Sequence, residues 1–154
     1  MEKSNLLYRF CCAEEIRDFL KFKINSSLNC EFLSLTKDEN SQAFDTNEDK
    51  HNYLITLNSD IVYQQGGFAV EYTREFFEAN PIILKHVGNS LDLKLEHFDD
   101  SLLHYISYVI EETKKEQEVL VKYLTLTDFL ILSIDKFVNG KKINIVKNTL
   151  TEID

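Results

Sequence analysis

Residues 91–110, LDLKLEHFDDSLLHYISYVI, place the clearest strand pattern of the chain directly before its clearest helix pattern. Leucine alternates with a charged residue from Leu91 to Glu96, and this period of two is typical of a strand with one buried face. Asp99 or Asp100 can then cap a helix. The apolar stripe of that helix consists of Leu102, Leu103, Ile106, Val109 and Ile110. A strand followed by a helix predicts a mixed α and β fold.

The segment before this stretch admits two interpretations. Apolar residues recur at helical spacing over 69–79, and Pro81 would end such a helix, because the residue before a proline avoids the helical conformation. The alternative is a hairpin in which 61–63 and 68–72 flank a Gln-Gln-Gly-Gly sequence. The helix is the favoured interpretation. Residues 82–87 are predicted to form a strand that pairs with 91–96.

The C-terminal third predicts a strand, a helix and a second strand. Residues 119–126 have the composition of a strand. Thr127 can cap a helix over 129–138, and Asn139-Gly140 would end it, since glycine often follows the last helical residue. A short final strand is expected at 142–147.

The N-terminal third also leaves an alternative open. A strand at 6–10 followed by a helix at 13–24 is the first interpretation, and a single helix over 5–24 is the second. Strands are predicted at 30–36 and 53–57. Residues 37–52 form an acidic loop, which is long enough to suggest a functional role.

These patterns predict a single α+β domain over residues 1–154. We expect a small, mostly antiparallel sheet packed with about four helices, and a predominantly α-helical fold is the alternative. A chain of 154 residues is long enough to bury a substantial core.

The charge of the chain excludes several classes of partner. The formal net charge is −9, with 26 acidic residues against 17 Lys and Arg. Such a surface repels nucleic-acid phosphates and anionic lipid, so neither nucleic acid nor membrane is expected as a partner. The most apolar region, 119–134, contains Lys122 and Asp128 and does not supply a bilayer span. The three cysteines show no metal or disulfide spacing, and the first residues show no secretory signal, so a cytoplasmic protein is predicted.

No motif in the sequence indicates catalysis, a metal or a cofactor. His97, Asp100 and His104 would share a helical face only if the helix began before its expected cap. Glu71, Glu75 and Glu78 are more simply solvated charges than a general acid and base pair. Cys11 is expected to be a buried core residue rather than a nucleophile. We therefore expect neither an enzyme nor a cofactor.

The chain is negatively charged, and its residues do not show the spacing of a catalytic motif. We therefore predict a protein-binding protein that neutralises a basic partner by occlusion. In size and charge, though in no motif, the chain is similar to bacterial toxin-immunity proteins, and this likeness implies a basic toxin as the partner. A small enzyme or ligand-binding domain and an assembly subunit are the alternative functions. The residues predicted to contact the partner are acidic or aromatic: Asp38, Glu39, Phe44, Asp45, Glu48, Asp49, Tyr105 and Tyr108.

Overall fold

A computed structural model describes residues 6–20, 32–40, 51–122, 124–125, 127 and 129–145. Within these residues, seven strands form one antiparallel sheet in the order β4-β5-β2-β1-β3-β6-β7. The strands are β1 (Leu6–Cys11), β2 (Leu33–Thr36), β3 (Tyr53–Asn58), β4 (Phe68–Ala69), β5 (Glu118–Val121), β6 (Ile131–Val138) and β7 (Lys141–Asn144). The predicted α+β class is therefore confirmed.

Five α-helices and two short 3-10 helices connect these strands in the described part of the chain. The α-helices are α1 (Ala13–Leu20), α2 (Ser59–Gln64), α3 (Arg74–Ala79), α4 (Pro81–Ser90) and α5 (Leu102–Thr113). The 3-10 helices are Leu95–Phe98 and Lys114–Glu116. None of the helices in the described residues is long and apolar enough to cross a membrane.

The first strand and helix lie as the first interpretation of the N-terminal third predicts. β1 occupies the centre of the sheet and pairs with β3 from Leu6 opposite Asn58 to Cys11 opposite Tyr53. α1 follows at once, with Glu14 and Glu15 in its first turn, where the helix dipole favours negative charge. A single helix from residue 5 is wrong over the described residues.

Three segments predicted as strands are not strands. Residues 61–63 belong to α2, because the side chain of Asn58 accepts hydrogen bonds from the N–H groups of Asp60 and Ile61 and caps a helix there. Residues 82–87 belong to α4, where Pro81 stands at the first helical position that suits proline. Residues 91–96 form a turn and the start of a 3-10 helix, since Leu93 packs into the helical core instead of pairing with a strand.

Two helix boundaries also differ from the prediction. α3 begins at Arg74 rather than near residue 69, because the side chain of Thr73 accepts from the N–H of Phe76 and residues 68–69 pair with β5. The N-cap of α5 is Ser101, not Asp99 or Asp100. The helix predicted over 102–110 is confirmed.

The predicted helix at 129–138 is wrong, and β6 takes its place. β6 pairs with β3 on one side and β7 on the other, with Val138 opposite Lys141. Asn139 and Gly140 both have positive φ, 51° and 78°, which identifies a two-residue hairpin turn instead of a helix end. The strands predicted at 119–126 and 142–147 are confirmed in shorter form as β5 and β7.

The sheet packs on both faces. On one face, α1 and α2 cover a core to which Leu7, Leu35, Ile55 and Val119 belong. On the other face, which we call the α4 face, α3, α4 and α5 cover the β4–β5 side of the sheet. Further along the α4 face, a smaller apolar cluster of Tyr8, Phe10 and Leu54 follows.

Candidate functional site

Two of the acidic residues predicted to bind a partner lie directly after β2. Asp38 accepts a hydrogen bond from the N–H of Asn40 at 2.9 Å and so forms a local turn. Glu39 makes an ion pair of 2.8 Å with Lys142 of β7. Both side chains are thus held by the chain itself. The remaining predicted loop residues lie outside the described residues: Phe44, Asp45, Glu48 and Asp49.

The two predicted tyrosines differ in exposure. Tyr105 is only 6% exposed and belongs to the core under α4 and α5, so the expectation that it is exposed is wrong. Tyr108 is 45% exposed, and its ring lies 5.4 Å from that of Phe98. Helical geometry explains the difference, because Tyr105 is on the stripe with Ile106 and Val109, and Tyr108 lies about 100° around the helix from Val109.

Tyr108 lies within a strongly acidic part of the surface. Residues 92–112, which we call the 92–112 surface, contain six carboxylates and one lysine, Lys94. All six carboxylates belong to exposed residues, and one of them, Glu111, makes an exposed ion pair of 3.2 Å with Lys114 just beyond the segment: Asp92, Glu96, Asp99, Asp100, Glu111 and Glu112. Large apolar side chains are exposed in the same segment: Leu95, Leu102, Leu103 and Tyr108. Exposed apolar residues surrounded by charged ones are typical of a protein interface.

Two of these exposed carboxylates belong to residues whose backbone is strained. Asp99 and Asp100 both take the left-handed conformation, with φ of 53° and 59°. Two consecutive residues other than glycine in this region are uncommon, although aspartate tolerates it better than most. Strained backbone is often kept at functional positions.

A separate cleft opens on the α4 face, beside the contact between α4 and β2. It includes about 350 Å³ of open space, counting its solvent-filled mouth. Its lining residues come from β1, β2 and the segment that enters β5: Tyr8, Arg9, Phe10, Ser34, Leu35, Thr36, Glu116 and Glu118.

Hydrogen bonds from β2 fix the acidic wall of this cleft. The hydroxyl of Thr36 donates to the carbonyl oxygen of Glu116 at 2.7 Å, which ties the end of the Lys114–Glu116 helix to the sheet. Gln117 then takes a left-handed conformation with φ of 48°, and the chain enters β5. The N–H of Glu118 donates to the hydroxyl oxygen of Tyr72 at 2.9 Å. These two bonds hold the backbone of Glu116 and Glu118 beside the cleft.

Glu118 is the most unusual group in the cleft. It is only 8% exposed, and its Oε1 atom has no hydrogen-bond partner among the described residues. Burial raises the pKa of its carboxyl above the ordinary value, while a hydrogen bond from Ser34 lowers it, the neighbouring Glu116 raises it and Arg9 lowers it. Burial likewise raises the pKa of Glu116, against a smaller lowering by Lys115. The cleft therefore contains two carboxylates that are poorly compensated.

Ser34 connects Glu118 to a histidine on α4. Ser34 Oγ and His86 Nε2 are 3.0 Å apart, a distance also found between a serine nucleophile and its base. The hydrogen bond between Ser34 and Glu118 lowers the pKa of the carboxyl, so Ser34 lies between Glu118 and His86. In serine hydrolases the acid instead contacts the histidine, on its other ring nitrogen. The arrangement thus differs from that of an activated serine.

Other candidates for chemistry are scattered or satisfied. Cys11 is buried, and burial raises the pKa of its thiol, so it is a poor nucleophile. His97 accepts a hydrogen bond from the N–H of Lys94 through Nδ1. No group of three or more His, Cys, Asp or Glu in the described ranges is placed to hold a metal ion.

Sequence reasoning missed the cleft entirely. Glu118 begins the strand sequence EVLV and looks like an ordinary charged residue at a strand end. Its burial depends on pairing with β2, where it lies opposite Thr36, more than eighty positions earlier in the chain. No local pattern in a single sequence reports such a pairing.

Comparison with known proteins gives no relative. The chain matches no protein-family model, and it has no significant match among curated proteins or solved structures. The case for a function therefore depends on the physical properties of the chain.

Proposed function

We propose that this protein binds a basic protein, such as a toxin, and inhibits it by covering its cationic surface. The formal net charge of −9 supports an electrostatically steered encounter with such a partner. Charge alone also serves solubility, so the proposal needs a surface on which the charge is organised.

The 92–112 surface is the observation that carries the proposal. It holds six of the 26 acidic residues of the chain in exposed positions and only one basic residue. Its exposed leucines and Tyr108 provide the apolar centre that binding energy requires, since hot spots are enriched in aromatic residues surrounded by a polar rim. Charge complementarity then selects a partner rich in Lys and Arg.

The predicted acidic loop contributes to the same proposal as a second contact region. Asp38 and Glu39 lie at its start, and Glu39 already neutralises Lys142. We therefore assign the main contact to the 92–112 surface and an accessory role to the loop. A cytoplasmic location completes the proposal and agrees with the unpaired state of the neighbouring residues Cys11 and Cys12.

Two variants with the same charge change test this assignment. The first replaces Asp99, Asp100, Glu111 and Glu112 by Asn or Gln, and the control replaces Glu14, Asp60, Glu71 and Glu75 in the same way. All eight residues are exposed, so each variant lowers the magnitude of the net charge equally. The partner is captured with the wild-type protein from the cells that express it, identified and purified, and its affinity for all three proteins is measured.

We expect the first variant to bind roughly tenfold or more weakly, and the control to change affinity only slightly, because mutations within an interface act through local contacts. Equal affinities for the two variants would refute the assignment to the 92–112 surface. A captured partner that is acidic would refute the proposed function.

A further inference from the structure

One of the two carboxylates that line the cleft on the α4 face has a buried oxygen with no partner among the described residues. Glu118 lines the cleft, is 8% exposed, and leaves Oε1 without a hydrogen bond among the described residues. Glu116 lies on the same wall and repels it. A buried polar atom without a partner costs free energy, and a buried negative charge costs more unless a positive charge compensates it.

The cations already near the cleft fill this role only in part, since Arg9 lowers the pKa of Glu118 while burial still raises it. Arg9 uses Nε and Nη2 for two hydrogen bonds to the carboxylate of Glu15, at 2.7 and 2.9 Å, and Nη1 for the carbonyl oxygen of Ser34. Lys115 is exposed and lowers the pKa of Glu116 only in part. The two carboxylates thus retain the capacity to bind a further cation.

The lining of the cleft favours a flat organic cation. Tyr8 and Phe10, each 4% exposed, line it, and a guanidinium packs beside aromatic residues more favourably than an ammonium group. A guanidinium also presents several N–H donors in one plane, and so it reaches two carboxylates at once. An ion such as Zn²⁺ is disfavoured, because the described residues contain no third ligand of suitable type nearby.

We propose that this cleft binds a guanidinium group, supplied by an arginine side chain of the basic partner. The claim that the guanidinium comes from a partner protein rests on the proposed function. The claim that the cleft binds a guanidinium does not. The cation lies between the carboxylates of Glu118 and Glu116, beside Tyr8 and Phe10. The cleft thereby adds a specific anchor to the less specific attraction of the 92–112 surface.

Binding of a cation is coupled to the ionisation of Glu118. The groups that face this carboxylate are Glu116, Arg9, the Tyr72 hydroxyl and, through Ser34, His86. Among these groups, Glu116 opposes the ionisation of Glu118. A bound guanidinium favours it. Affinity for a guanidinium compound should therefore rise with pH above the ordinary glutamate pKa.

The test uses N-acetyl-arginine methylamide as the probe and the wild-type chain labelled with nitrogen-15. We expect chemical shifts of the amides of Ser34, Thr36 and Glu118 to change in a saturable manner, with a dissociation constant on the order of 1 mM. N-acetyl-lysine methylamide should bind several-fold more weakly. Equal binding of the two probes overturns the choice of guanidinium, and the absence of saturable shifts at these amides overturns the site.

Glu118→Gln removes the charge and keeps the shape, and Glu75→Gln is its control at an exposed position outside the 92–112 surface. The first should weaken binding of the arginine probe at least roughly tenfold, and the second should leave it unchanged. Glu116→Gln is the additional variant if Glu118→Gln does not fold, and it should weaken binding in the same direction. Unchanged binding in the variants at positions 116 and 118 would overturn the proposal.

The purified partner separates this inference from the proposed function. If the arginine probe binds but no basic partner exists, the proposed function fails and the cleft serves a free guanidinium compound. If a basic partner binds through the 92–112 surface and Glu118→Gln leaves its affinity unchanged, the partner is not the source of the group. A loss of partner affinity in Glu118→Gln, with normal affinity in Glu75→Gln, supports both.

Discussion

The hydroxyl of Tyr105 on α5 lies against Gly88 on α4, so closely that a Cβ at position 88 would overlap it. This contact explains why Tyr105 is buried, and burial raises the pKa of its phenol. The tyrosine joins the two helices that cover the β4–β5 side of the sheet, and it therefore serves packing instead of a partner.

Gly88→Ala should destabilise the protein by about 1–2 kcal/mol, because overlap in a packed interface outweighs the better helix propensity of alanine. Tyr105→Phe removes the overlapping oxygen, so the double variant should lose less than the sum of the two single variants. Urea unfolding of all four proteins gives the free energies. A Gly88→Ala variant more stable than the wild type would contradict the contact.

Gly140→Ala should destabilise the β6–β7 hairpin by about 1–2 kcal/mol, since φ of 78° suits glycine and strains alanine. Lys141→Ala, at an exposed position next in the chain, is the control and should have a small effect. Thermal unfolding measures both. A Gly140→Ala variant as stable as the Lys141→Ala control would contradict the strained conformation at this turn.

Glu118→Gln should stabilise the protein relative to the wild type at neutral pH. The folded state raises the pKa of Glu118, so this residue favours folding fully below the ordinary value of 4.5 and loses that contribution as pH rises through the folded pKa. Glutamine resembles the neutral carboxyl at every pH. The stability difference between variant and wild type should therefore grow as pH increases from 4.5.

Denaturant unfolding at several pH values measures this difference, with Glu112→Gln as the control at an exposed site. A difference that shrinks with rising pH would mean that the Glu118 carboxylate is stabilised in the fold, contrary to its lack of a partner at Oε1. This stability measurement is also a control for the binding test. If Glu118→Gln is more stable than the wild type and binds the arginine probe more weakly, unfolding does not explain the weaker binding.

Asp99→Gly and Asp100→Gly should each stabilise the protein by about 0.5–1 kcal/mol, because glycine adopts a positive φ without strain. Both should slow association with the basic partner, since each removes an exposed carboxylate from the 92–112 surface. Glu96→Gly is the control, because Glu96 lies within a 3-10 helix where glycine brings no relief. A loss of stability at positions 99 and 100 would refute the strain argument.

Elements whose local pattern agrees with their packing were predictable from the sequence, and elements decided by tertiary packing were not. The strand at 6–10 and the helix at 102–110 follow from patterns that agree with their packing. The leucines of 91–96 alternate with charged residues, but Leu93 packs under the helices and Leu95 is 38% exposed. Periodicity in a short segment does not reveal which element covers it.

The wrong prediction of a helix at 129–138 has a different cause, because the sequence Asn-Gly that follows it occurs in two kinds of structure. Asn-Gly ends helices and also forms the tightest hairpin turns, and only the pairing of β6 with β3 distinguishes the two. The candidate site was harder still. Ser34, His86 and Glu118 come from three separate segments, and their meeting depends on the complete sheet and the helical layer above it.

The central claim, that the 92–112 surface meets a basic protein, is tested most directly by the association rate of the purified partner across a range of salt concentrations. The wild-type rate should fall steeply with added salt, and replacing Asp99, Asp100, Glu111 and Glu112 should flatten that dependence more than replacing Glu14, Asp60, Glu71 and Glu75. Identical slopes for these two variants, or a wild-type rate that does not depend on salt, would contradict the account.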